Sequence, residues 1–151
     1  MSVAWRIAKA KHVATAFDGE GARLNGGRWN SLGVRVVYVS VTRSLAALET
    51  LVHLTPPVTT AFVLIPIEFE EALVEVFPAK NLPSGWNAEP PSPISQQIGD
   101  DWVKTSRSAI LALPSVLTGE TNYLLNPAHT DFKKISIGKP ESFTFDPRLL
   151  T

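Results

Sequence analysis

Residues 26–54 read GGRWNSLGVRVVYVSVTRSLAALETLVHL, and no other stretch limits the possible folds so tightly. A glycine pair opens it and a β-branched run follows. Thr42 then stands where a side-chain oxygen can cap a helix. Across 43–54, Leu45, Leu48 and Val52 recur at the spacing of one helical face, and Pro56-Pro57 stop the helix. In the strand expected over 34–40, alternation sets Val36, Tyr38 and Ser40 on one face and Val37 and Val39 on the other. Turn, strand and helix thus deliver Arg28, Tyr38 and Glu49 from three neighbouring elements. Glu49 follows Leu45 by four residues and precedes Val52 by three, which puts it at the edge of the apolar face. A carboxylate aimed towards a core requires a cation, hydrogen bonds or a proton. Arg28, on the glycine turn, is the first partner to expect.

The remainder supplies a sheet for these elements to join. Strands are expected over 3–8, 61–69 and 108–116, with 72–77 continuing the sheet and 134–137 and 142–146 closing it. Pro66 suggests that the second of these lies at an edge or carries a bulge. Residues 9–24 form a polar, glycine-punctuated approach, and their glycines do not follow the GxGxxG order of a dinucleotide fingerprint. Five prolines in 78–95 predict an extended surface connection that covers a cleft. A short helix is expected over 99–106, anchored by Trp102, and 122–127 (NYLLNP) reads as a turn or short helix stopped by Pro127. Strands outnumber helices, so the class is α+β, in one domain spanning 1–151.

Composition removes several functions. Fourteen basic and fourteen acidic residues cancel, with no basic stripe, which disfavours direct nucleic-acid binding. With no cysteine, disulfides, thiolate metal sites and a cysteine nucleophile are excluded together. The N-terminal residues lack the apolar core of a signal peptide, and no apolar run reaches membrane-spanning length. The expectation is a soluble cytoplasmic protein with no membrane association.

Four segments in order, GGRWNSLGVRVVYVS, SLAALETLVHL, LPSVLTGETNYLLNP and FTFDPRL, resemble the RES family, named for its arginine, glutamate and serine. The resemblance runs from FDGEGARLNGGRWN to FDPRL and is least distinctive in the proline-rich middle. It implies an ADP-ribosyltransferase-like fold and the toxin half of an Xre–RES toxin–antitoxin module acting on NAD+. The chemistry implied is hydrolysis or phosphorolysis of NAD+, or, in other members, transfer of ADP-ribose to a protein. It further implies an Xre-type helix-turn-helix antitoxin as partner and a homodimer within a larger complex. By the same resemblance Arg28 is the family arginine, Tyr38 the active-site tyrosine and Glu49 the glutamate. The serine is Ser115, Ser106 or Ser108, with the LPS context favouring Ser115.

These side chains suit that chemistry. Breaking the nicotinamide–ribose bond builds oxocarbenium character on the sugar, as glycoside hydrolysis does, and Glu49 beneath the ribose can stabilise it. Arg28 can fork onto pyrophosphate oxygens, with the Gly26 and Gly27 amides free to approach them. Tyr38 offers a ring for nicotinamide and a hydroxyl for ribose, and Ser115 a neutral donor and acceptor. No metal is required. Each also has a plainer role: Glu49 and Arg28 as a structural ion pair, Tyr38 as core, Ser115 and Gly27 as turn residues. His53, four residues beyond Glu49, is a possible base, and with Glu49 would suit a ribonuclease toxin, a reading the neutral charge weakens. His12, His53 and His129 have no metal-ligand spacing, Asn126 before Pro127 reads as turn architecture, and Trp29 and Trp102 read as core.

Overall fold

A computed structural model describes all residues, 1–151. Its frame is an eight-stranded mixed sheet. The strands are β1 (Ser2–Lys9), β2 (Val37–Ser40), β3 (Phe62–Phe69), β4 (Val74–Val76), β5 (Ile110–Pro114), β6 (Thr121–Leu125), β7 (Ser136–Ile137) and β8 (Glu141–Phe143). The spatial order is β4-β5-β6-β2-β1-β3-β7, with β8 also on β3, and only β4–β5 is parallel. Three α-helices accompany it: α1 (Glu20–Asn25), α2 (Arg43–Leu51) and α3 (Pro93–Thr105). The α+β class follows directly.

Cross-strand register divides the residues between two faces. On one face Val37, Val39, Ile67, Phe69, Ile110 and Leu125 build a single core. The other face carries two. Trp29, Val36, Trp102, Leu111 and Leu124 pack together, and Ile7, Ala46, Phe62, Leu64 and Phe145 form the second group. Between these two groups lies a short polar row, the cross-strand partners Ser40 and Asn122, flanked in the same register by Trp5 and Leu113. Two of the candidate residues, Glu49 and Ser115, meet beside that row.

Several elements differ from the sequence expectation, each for a physical reason. Residues 122–127 are no turn or helix: they largely belong to β6, a central strand between β5 and β2. The helix expected over 99–106 begins at Pro93, where Ser92 Oγ accepts the Ile94 N–H at 3.3 Å and proline occupies the first turn. Gly99 therefore sits inside that helix. A Cβ there would stand 1.7 Å from the Trp29 carbonyl oxygen, so only glycine lets α3 lie on the turn at 27–31. Pro66 occupies neither an edge nor a bulge. It faces Trp5 in an unbroken ladder, and on its other side falls between the stretches that pair with β7 and β8. Helix α2 ends at Leu51, well before the Pro56-Pro57 pair; Leu45 is buried, while Leu48 and Val52 stay exposed.

Candidate active site

Glu49 projects from α2 towards the polar row of the sheet, and its helix is fixed at the start by Thr42 Oγ1, which accepts the Leu45 N–H at 3.0 Å. The half-buried carboxylate has two neutral partners. Ser115 Oγ donates to Glu49 Oε2 at 3.0 Å, and Asn122 Nδ2 donates to the same oxygen. Oε1 receives no hydrogen bond from the chain. Ser115 is buried and held in turn, its Oγ accepting the Leu117 N–H at 3.0 Å and its N–H bonding Glu120 at 2.7 Å. Asn122 is oriented by Ser40, whose Oγ donates to Asn122 Oδ1 at 2.7 Å. A carboxylate so held has one oxygen committed to the protein and one available to a ligand.

Arg28 does not neutralise Glu49. Its Nη1 donates to the carbonyls of Trp86 (3.2 Å) and Ala88 (2.7 Å), and its Nη2 pairs with Glu89 at 2.8 Å. The side chain of Arg28 is 14% exposed and that of Glu89 76%, so a largely covered cation is met by an exposed carboxylate. The proline-rich stretch thus folds over Arg28, with Trp86 stacked on Trp29 at 5.8 Å between ring centroids. The turn bearing Arg28 is itself clamped from α3. Ser95 Oγ donates to the Arg28 carbonyl at 2.6 Å, Gln96 Nε2 to that of Gly27 at 3.0 Å, and Asp100 accepts from Ser31 N–H and Oγ.

Tyr38 is built into the same turn. Its hydroxyl donates to Asn30 Oδ1 at 2.6 Å and accepts the Trp29 N–H at 3.1 Å. Burial pushes the phenol well above its ordinary range, so it stays protonated and can keep donating. A Cβ on Gly27 would come within 2.6 Å of that hydroxyl, which makes Gly27 a close-approach residue. The amides of Gly26 and Gly27 are not free for phosphate, because they bond the carbonyls of Ala22 and Asn30. Beneath the sheet Arg6 fastens β2, its Nη1 donating to the Tyr38 carbonyl at 2.9 Å and its Nε to that of Ala16 at 2.7 Å.

The other candidates lie apart from Glu49. Ser108 Oγ accepts from Trp102 Nε1 at 2.8 Å and donates to the Ile110 carbonyl, while Ser106 ends α3 in a left-handed conformation (φ 49°). Of the three serines, Ser115 alone bonds Glu49. His53 is exposed past the end of α2, and His129 caps a turn through Nδ1. Asn126 is buried and shapes the turn after β6, accepting the Ala128 N–H at 3.0 Å. There is no group of three or more His, Asp or Glu placed to hold a metal ion.

The profile of the RES domain matches residues 3–146. The chain belongs to the RES family. A relative from Sphingobium sp. (strain YBL2), named "Prs ADP-ribosylating toxin", is 43% identical over 97% of this chain and 95% of its own length. One from Photorhabdus laumondii, named "Toxin Res", is 39% identical over 98% of this chain and 97% of its own. A chain of the M. tuberculosis MbcT–MbcA toxin–antitoxin complex superposes with a TM-score of 0.72, covering 95% of this chain and 84% of that one. At 18% identity that likeness speaks for the fold, the α+β, ADP-ribosyltransferase-like architecture that the RES resemblance implies.

Several residues that shape this RES site escaped the sequence reading. Asn122 and Ser40 touch or orient the Glu49 group, and Ser95, Gln96, Asp100 and Glu89 hold or cap the Arg28 turn. A signal existed for Ser40 alone, since alternation places it on the face of Tyr38.

Proposed function

We propose that this chain is the toxin of a toxin–antitoxin pair and that it breaks the nicotinamide–ribose bond of NAD+, passing ADP-ribose to water or phosphate. The observation that carries the reading is the Glu49 carboxylate, held through Oε2 by two neutral donors with Oε1 unengaged. With no cation bound to it, its negative charge remains available to a developing oxocarbenium ion. The C1′–N bond breaks with its electron pair leaving on nicotinamide, whose ring charge is thereby neutralised. The sugar cation then takes an acceptor oxygen, which gives up its proton. Arg28 supplies the pyrophosphate contact by exchanging Glu89 for phosphate oxygens. Tyr38 contributes its ring to the nicotinamide side and keeps the Arg28 turn in shape. Ser115 holds Glu49 and faces the same substrate. The step needs no metal.

A second acceptor is favoured by one observation, the name of the relative at 43% identity, an ADP-ribosylating toxin. In that reading a protein side chain takes the ADP-ribose. Purified protein incubated with NAD+, with and without phosphate, decides between them. Free ADP-ribose or its phosphorylated product supports hydrolysis or phosphorolysis, and nicotinamide release only when cell protein is added supports transfer. No nicotinamide release in any arm overturns both.

The partner in this reading is an Xre-type helix-turn-helix antitoxin that covers the cleft near Arg28 and Glu49, the toxin forming a homodimer within the complex. With a balanced charge, operator binding falls to the antitoxin. Co-expression with such a partner should restore growth and yield a co-purifying complex. Persistent toxicity with the complex formed refutes blocking of the site.

A further inference from the structure

We infer that Asn122 and Ser40 form a two-step positioning relay that fixes the plane of the Glu49 carboxylate and so the direction of its unengaged oxygen, an inference that rests on the reading of Glu49 given above. Three observations converge on it. Asn122 and Ser40 are direct cross-strand partners on β6 and β2, so the backbone ladder sets their separation before any side chain is placed. Ser40 is 4% exposed, and its hydroxyl donates to Asn122 Oδ1 at 2.7 Å. That bond leaves the Asn122 amide nitrogen as the end that points at Glu49, where it donates to Oε2.

The geometry has a chemical consequence. A carboxylate on a helix can turn about its last torsion, which is broad, and so tilt its plane and move its unengaged oxygen. Ser115 alone, as a single donor, would leave that plane free to tilt about one hydrogen bond. Asn122 and Ser115 approach from neighbouring strands, β6 and the end of β5, and meet at one oxygen. Two donors from different directions define the plane of the group, and Oε1 is left aimed away from both. Because the donors are neutral, the plane is fixed without the charge being cancelled. Ser40 does not contact Glu49 and acts only through Asn122. The polar row is otherwise an anomaly, a serine and an asparagine between two apolar groups on the same face of the sheet, where an apolar pair would pack without desolvation cost.

The test is a double-mutant cycle on the full chain, with Ser40→Ala, Asn122→Ala and both together. Turnover of NAD+ is resolved into kcat and KM, and thermal unfolding confirms the fold. Misaiming the carboxylate should lower kcat of Asn122→Ala by about 100-fold, with KM close to parental. Ser40→Ala should lower kcat by about tenfold, the rate equivalent of one lost orienting hydrogen bond. The double variant should match Asn122→Ala, since Ser40 has nothing left to orient. Multiplied losses in the double variant, or parental kcat in Ser40→Ala, overturn the relay. A rise in KM with kcat unchanged overturns it too, because that would make Asn122 a plain substrate contact. If Asn122→Ala does not fold, Ser40→Ala decides alone by the same kcat criterion. If the parental protein arrests growth without consuming NAD+, the NAD+ reading falls, while the same cycle read on growth arrest still decides the relay.

Discussion

Two corners of the site hold opposite charges in opposite ways. At the Glu49 corner the partners are neutral, come from the sheet, and all converge on one oxygen. At the Arg28 corner the partners are two carbonyls and an exposed carboxylate, supplied by the proline-rich stretch that folds over it. The first arrangement preserves a charge for a reaction. The second keeps a charge covered until an anion displaces the cover. A substrate with a cationic reacting centre and an anionic tail needs both, and in the proposed reading the chemistry belongs to Glu49 and the binding to Arg28.

The sharpest way to break this division is at Glu49. Glu49→Gln retains the shape and the acceptor oxygen for Ser115 and Asn122 but removes the charge. NAD+ turnover should fall by roughly 10²–10³-fold in kcat, the scale of a lost electrostatic group in a transition state. Thermal stability should remain near parental, because no ion pair is broken. Turnover at the parental rate would remove Glu49 from the chemistry, and unfolding would make it a structural residue.

Tyr38 tests whether the two corners share a frame. Tyr38→Phe leaves the Trp29 N–H and the oxygen of fully buried Asn30 without their partner. Stability should drop by about 1–3 kcal/mol, the cost of stranding buried polar groups. Nicotinamide release should persist at reduced rate, since the ring is retained. A variant of parental stability with lost activity would instead assign the hydroxyl to substrate.

The sequence made the first of these corners easier to read than the second. The meeting of Glu49 and Ser115 was legible from the family motifs, and helical spacing from Leu45 helped to place Glu49, although Leu48 and Val52, the other two residues of the expected face, are exposed. Asn122 is hidden because 122–127 reads as a turn or short helix: the short TNYLL run ends at Asn126-Pro127, and the strand character of β6 comes from pairing on both sides. The pairing of Arg28 with Glu49 looked natural from charge alone and was wrong. Arg28 is instead turned towards α3 and the 86–89 stretch, and that turn depends on Gly99 lying against Trp29. A glycine within a helix reads in sequence as a place where the helix starts, and only the packing shows why it is there. Periodicity reports which face a residue occupies. It does not report which distant segment will cover that face.

Arg28→Lys sharpens the binding half. Lysine keeps the charge but cannot serve two carbonyls and a carboxylate in the planar fork that Arg28 uses. KM for NAD+ should rise by about tenfold, with kcat less affected, because an ammonium cannot keep both carbonyls and still offer the phosphate contact made by Nη2, while Glu49 is untouched. An unchanged affinity in direct titration would move the anion site elsewhere.

The smallest effect, and the one that most directly probes the cover, is expected at Glu89. Its carboxylate is largely exposed and holds Arg28 through Nη2 alone, while the Trp86 and Ala88 carbonyls hold Nη1. An exposed partner of this kind contributes little to stability, so Glu89→Gln should unfold at close to the parental temperature. Its removal should nevertheless help an incoming pyrophosphate, which no longer competes with a tethered carboxylate for Nη2. The expected outcome is a KM for NAD+ about two- to fivefold lower, within the range that a partly screened ion pair supplies. Raised ionic strength should narrow the gap between parent and variant, because salt weakens the Glu89–Arg28 pair in the parent. The opposite result, a higher KM in Glu89→Gln, would mean that Glu89 shapes the bound state and is no placeholder. In that event the Arg28 corner would be prebuilt like the Glu49 corner, and the contrast between them would disappear.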